Sequence, residues 1–148
     1  MRVGALRYPP SAGNLRCMAT ETEVFLRGVW HSMIPRTDNT AWVERLAALP
    51  ASDEPLGDLG PVVRRMLDAG VTVDDVARFA RITGYETAFG LCYHLDDPHA
   101  SYEDVDDDGE ELAWGLFLVD GSGEPTKPVV GLHESILSLD PSGREMRP

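Results

Sequence analysis

Asp104-Val105-Asp106-Asp107-Asp108-Gly109 is the stretch of this chain that most resembles a cation site. Carboxylates at the first, third and fifth positions of a loop, followed by glycine for the tight turn, form the first half of a calcium loop. Glu110 would add its backbone carbonyl, but the second half departs from the pattern. The eighth position, usually apolar, is Glu111, and Gly115 stands where a bidentate glutamate belongs. An EF-hand is therefore excluded, and a weak Ca²⁺ site on Asp104, Asp106 and Asp108 is the most the motif allows. A solvated acidic loop is the simpler expectation, because runs of like charge are usually solvated faces. No other cofactor is expected.

His94-Leu95-Asp96-Asp97-Pro98-His99 is the second concentration of chemistry. Imidazole beside carboxylate suits transition metals, and a His–Asp pair can also move protons. The spacing matches neither His-Glu-x-x-His nor a Cys/His set. Pro98 keeps His99 off a helix bearing His94, and His133 could join Asp96 and Asp97 only through folding. His31, next to Trp30, reads as a half-buried packing residue. Ser32, Ser101, Ser135 and Ser138 lie in no elbow pattern, and no phosphate-cradling glycine loop is present. Cys92 lies among Leu91, Tyr93 and Leu95, which predicts a buried, reduced thiol.

Both concentrations fall in one strongly polarised window. Residues 82–126 carry twelve carboxylates and no Lys or Arg, so the formal charge of −12 is a local property. Such a field disfavours nucleic acid and anionic membrane, and it attracts a basic partner. Asp104, Asp106, Asp107, Asp108, Glu110 and Glu111 form the expected binding surface. This favours a non-catalytic protein-interaction module that engages a basic protein partner. Two other classes are open: a metal-dependent enzyme or calcium module on the carboxylates from Asp96 to Glu111, and a helix-turn-helix regulator. The regulator would use helices over 61–69 and 73–83, but Asp74 and Arg78 there read better as an i,i+4 surface pair.

The elements that must hold these residues are legible from spacing. Thr20-x-x-Glu23 is a capping box, and Val24, Phe25, Val29, Met33 and Ile34 follow at helical spacing as far as Pro35. Trp42, Leu46 and Leu49 mark a second short helix ended by Pro50. Pro61 suits the first position of a third, stopped by Gly70. Thr72-x-x-Asp75 caps a fourth, which Gly84 should break, and residues 85–95 repeat the helical spacing as a fifth.

Beyond Pro98, residues 100–111 are almost entirely acidic or small polar. Leu112 to Val119 and Val129 to His133 then predict two strands around an Asp120-Gly121-Ser122-Gly123 turn. Pro125 and Pro128 confine the second strand to a sheet edge. Trp114, Leu116 and Leu118 are expected to pack that hairpin on the helices, with Trp42, Phe79, Phe89 and Trp114 largely buried. The fold class is α+β: a helical body of about five short helices, an acidic loop and a C-terminal β-hairpin.

At 148 residues and 43% hydrophobic content, one domain is expected. No apolar run reaches the roughly 18 residues of a membrane span, no secretory pattern is evident, and the expected location is cytoplasmic. Residues 1–17 contain no acid and no periodicity, so they read as a floppy or spurious extension before a domain over 18–148, with translation starting at Met18.

Overall fold

The computed structural model describes residues 19–97 and 114–147. The capping box starts the first helix as expected: Thr20 accepts from the Glu23 N–H at 3.2 Å, and the Glu23 carboxylate accepts from the Thr20 N–H at 3.0 Å. Helix α1 then runs Glu21–Ser32 and buries Leu26, Val29 and Trp30. Helix α2 is Ala41–Ala47 and helix α3 is Leu59–Asp68, ended by Gly70 at φ +90°. Pro61 is the third residue of α3, two positions later than expected. The first turn of a helix has no intrahelical use for its N–H groups, so proline is tolerated there as well.

The fourth and fifth expected helices are one. Helix α4 spans Val73–Asp96, 24 residues, with Thr72 accepting from the Asp75 N–H at its start. Gly84 does not break it. A Cβ at Gly84 would lie 2.9 Å from Pro35 Cδ and 3.2 Å from the Met33 carbonyl oxygen. The glycine permits close passage of the chain leaving α1, a demand unrelated to helix termination.

Continuity of α4 joins two separate cores. Its N-terminal half contributes Val76 and Ala77 to a cluster with Val43 of α2 and Val63 of α3. Its C-terminal half contributes Ala88 and Cys92 to a cluster with Leu26, Val29, Trp30, Ile34, Val129, Leu132 and Ile136. At about 1.5 Å per residue the helix is about 36 Å long, enough to serve both.

The hairpin is shorter than expected and differently placed. Strand β1 (Phe117–Val119) pairs antiparallel with β2 (Pro125–Pro128), Phe117 opposite Pro128 and Leu118 opposite Lys127. The register slips between Leu118 and Val119, so Val119 faces Pro125 and Thr126 is the extra residue. The expected turn is present. Asp120 accepts from the Ser122 and Glu124 N–H groups and the Ser122 hydroxyl, while Gly123 adopts φ +89°. The bond from the Ser122 hydroxyl, followed by those from the backbone, holds the Asp120 carboxyl below its ordinary range.

Residues 129–133 are not a second strand. Gly131 turns left-handed at φ +72°, and Leu132–Ser135 forms a short helix, α5, continued by a 3₁₀ turn at Leu137–Leu139. Burial of Leu132 and Ile136 in the larger core favours this turn over extension of the sheet. The architecture is α+β, as the spacing of the chain predicts; its five helices among the described residues include the merged α4 and the unexpected α5, beside one hairpin. No described helix is long and apolar enough to cross a membrane.

Several burial expectations fail. Phe79 is 65% exposed and Trp114 37% exposed, while Trp42 and Phe89 are only partly buried. The buried stripe of α4 is Ala77, Arg81, Ala88 and Cys92, at i, i+4, i+11 and i+15; Phe79, about 200° round the helix from Ala77, lies on the opposite side. Of the three hairpin residues expected to pack, Leu116 meets the larger core, while Trp114 and Leu118 lie largely outside it. His31 is exposed, at the solvent side of α1. Arg78 does not pair with Asp74, because it donates to the Met146 carbonyl oxygen at 2.5 Å.

Candidate functional site

Of the residues singled out for chemistry, Asp96 and His133 are brought together. Asp96 ends α4, and His133 is the second residue of α5, 37 positions later in the chain. The left-handed turn at Gly131 and the burial of Leu132 set α5 against the end of α4. One carboxylate oxygen, Asp96 Oδ2, then accepts the His133 backbone N–H at 2.9 Å and meets His133 Nδ1 at 2.7 Å. A carboxylate oxygen accepts, so Nδ1 is the donor to Asp96 and Nε2 takes no part in this bond. Tyr93 and Phe89 meet the imidazole edge to face, with centroids 5.0 Å and 6.1 Å away. Asp96 Oδ1 is buried and makes no hydrogen bond.

A carboxylate that orients an imidazole is half of a general-base device. The other half would be a nucleophile or substrate hydroxyl within hydrogen-bond reach of Nε2. Among the described residues no hydroxyl or thiol bonds to that nitrogen. Cys92 is one helical turn before Asp96, but burial, with the Asp96 charge adding to it, pushes its thiol up to about 11. A thiol so raised is protonated at neutral pH and unreactive.

In a Cys17→Ser variant, which leaves Cys92 alone, dithionitrobenzoate should therefore label the native protein only at the rate of unfolding. Full labelling within minutes at pH 8, with the fold intact, would contradict the burial of this thiol.

The other described members of the 94–99 cluster have contacts of their own. His94 packs its ring against Trp114 with centroids 4.4 Å apart, and its carbonyl oxygen accepts from the Trp114 indole at 2.8 Å. Asp97 is the C-cap of α4. His99 lies outside the described residues, as do Asp104, Asp106, Asp107, Asp108, Glu110 and Glu111 with the calcium-like motif they carry. Among the described residues no group of three His, Cys, Asp or Glu side chains gathers to hold a metal.

A second buried polar centre was missed by sequence reasoning. Arg81 Nη2 donates to Asp140 Oδ1 at 2.7 Å, Arg81 Nη1 donates to the Pro35 carbonyl oxygen at 3.1 Å, and the guanidinium covers the Trp30 ring at 5.0 Å. Asp140 also accepts from the Ser142 N–H and hydroxyl and from the Met146 N–H, each at 2.9 Å. The tail after Asp140 is irregular, yet it is tied to α4 and to the chain leaving α1. The available signal was the position of Arg81, four residues after Ala77 and seven before Ala88, on the apolar face of its helix. No protein-family model, curated protein or solved structure matches this chain.

Proposed function

We propose that this protein is a non-catalytic interaction module that engages a basic partner surface through its hairpin and the acidic stretch preceding it. The observation that carries this reading is an exposed apolar strip on the hairpin that follows the acidic stretch of the sequence. Both strands of the two-stranded sheet are exposed along their whole length, with Phe117, Leu118, Val119 and the neighbouring Val130 among the exposed large apolar residues. Each strand has only one neighbour among the described residues; β1 presents an edge that a partner strand could extend, whereas Pro125 and Pro128 blunt that of β2. Apolar area at the centre with charge at the rim is the usual anatomy of an interface, and the rim charge sets the on-rate and its salt dependence.

Two observations weigh against the other classes. Among the described residues the Asp96–His133 pair meets no nucleophile. Arg78 and Arg81, the bases that α4 would offer to a duplex, are both engaged inside the molecule. Duplex binding needs several free phosphate-neutralising groups.

Affinity capture with the protein immobilised tests the proposal, comparing the native chain with two variants. Partners should be basic and should elute at high salt. Replacing Asp104, Asp106, Asp107 and Asp108 by Asn should slow association about tenfold or more, since steering acts on the on-rate. The same change should alter stability by no more than about 0.5 kcal/mol, as surface substitutions do. Phe117→Ser with Val119→Ser should instead speed dissociation. Capture unchanged by high salt and by both variants would remove the proposal.

A further inference from the structure

The chain carries a formal −12, yet four of its arginines line one cavity of about 440 Å³. They come from four separate segments: Arg27 from α1, Arg36 from the loop after it, Arg81 from α4 and Arg144 from the tail. Tertiary structure therefore creates the concentration of charge, since no two of them are close in sequence except Arg27 and Arg36.

Two of the four are neutralised locally. Asp38 takes Arg36 through two bonds, one of them from Nε at 2.8 Å, and Asp140 takes Arg81. Arg27 and Arg144 take no carboxylate among the described residues. The cavity thus holds a formal excess of two positive charges after its own acids are counted.

Part of the wall is also pre-organised. Arg81 is held by Asp140, the Pro35 carbonyl and the Trp30 face, as described above. The backbone around Arg144 runs through left-handed conformations at Gly143 (φ 68°), Glu145 (φ 49°) and Met146 (φ 63°), two of them non-glycine. Such conformations persist only where surrounding bonds over-determine them. Here Asp140 accepts from Ser142 and Met146, the Arg144 N–H reaches the Ser142 hydroxyl at 3.3 Å, and Arg78 holds the Met146 carbonyl.

We infer that this cavity is a binding site for a small multivalent oxyanion, a phosphate compound or a polycarboxylate. Guanidinium groups present forked donors that match the oxygens of both classes, and pre-organised forks lose little freedom on binding. The volume lies within the about 300–1,000 Å³ typical of small-ligand sites. A polymeric anion would meet the repulsive field of the remaining surface, whereas a small anion inside the cavity meets chiefly the local excess.

Calorimetric titration of the full chain with pyrophosphate and with citrate tests the assignment. At least one of the two should bind saturably at one site per chain; pyrophosphate alone assigns phosphate, citrate alone assigns polycarboxylate. Arg27→Gln with Arg144→Gln should weaken that binding about tenfold or more. Arg65→Gln with Lys127→Gln removes the same charge from exposed positions elsewhere, and should weaken it less than about twofold. No saturation by either anion up to about 10 mM, or equal weakening in the two double variants, would overturn the assignment. Should the first pair of changes unfold the protein, resonance shifts in the unaltered chain decide. Shifts confined to the Trp30 indole, the arginine Nε–H groups and residues 141–144 support the site, and shifts spread over α3 overturn it.

Discussion

Replacing Asp140 by alanine lowers the free energy of unfolding by about 3–5 kcal/mol, the usual cost of removing one partner from a buried ion pair. The Asp140 side chain is 1% exposed and that of Arg81 is 9% exposed, so the guanidinium left behind would lose its charge partner while remaining poorly hydrated. The Ser142 and Met146 N–H groups would lose their acceptor at the same time. Urea unfolding of Asp140→Ala and of the double variant Arg81→Met, Asp140→Leu separates the causes. The double variant should recover most of the loss, because replacing both charges by apolar groups removes the desolvation cost along with the attraction. A loss below about 1 kcal/mol in the single variant would mean that the tail is not held by this centre.

The same carboxylate makes stability fall in acid. Burial pushes its pKa up, but the bonds from the Met146 and Ser142 N–H groups, the Ser142 hydroxyl and the Arg81 charge outweigh burial. The net result is a carboxyl below its ordinary value of 3.8. A carboxylate depressed on folding adds stability that is fully present above its unfolded pKa and is lost as pH falls through the folded one. The Asp140 share should therefore be constant near neutrality and decline below pH 3.8, and that decline should be missing from an otherwise matched Asp140→Ala titration.

Trp30→Ala should cost about 3–5 kcal/mol, the range for truncating a buried aromatic. The residue is 3% exposed, at the point where α1, α4 and the α5 turn meet. Tyr85 lies 5.9 Å from it between ring centroids, and the Arg81 guanidinium covers its face. Its indole N–H donates to the Ile136 carbonyl oxygen at 2.8 Å, across 106 positions of sequence. Trp30→Phe keeps most of the packing but leaves that carbonyl without its donor, which should cost about 1–3 kcal/mol. Urea unfolding of the two variants ranks the contributions. Near-equal losses would mean that the hydrogen bond, not the volume, dominates at this position.

What the sequence determined by itself is the set of features whose partners lie within a few residues. Thr20 with Glu23, Thr72 with Asp75, Asp120 with Ser122 and Glu124, and the glycine stop at Gly70 close their bonds within one turn. Their energetics differ little between an isolated segment and the folded chain. The apolar company of Cys92 and the α+β class were legible for a related reason, since hydrophobic periodicity reports burial without naming the neighbour. Tertiary structure alone decided the rest. Gly84 reads as a break until Pro35 is known to pass within 2.9 Å of where its side chain would begin. Phe79 reads as core until Ala77 and Arg81 are seen to face inward in its place. Asp96 meets His133 across 37 residues, Arg81 meets Asp140 across 59, and the four arginines of the oxyanion cavity come from four segments. Contacts of that separation carry no periodic signal, because each depends on how distant segments pack together and not on spacing along the chain.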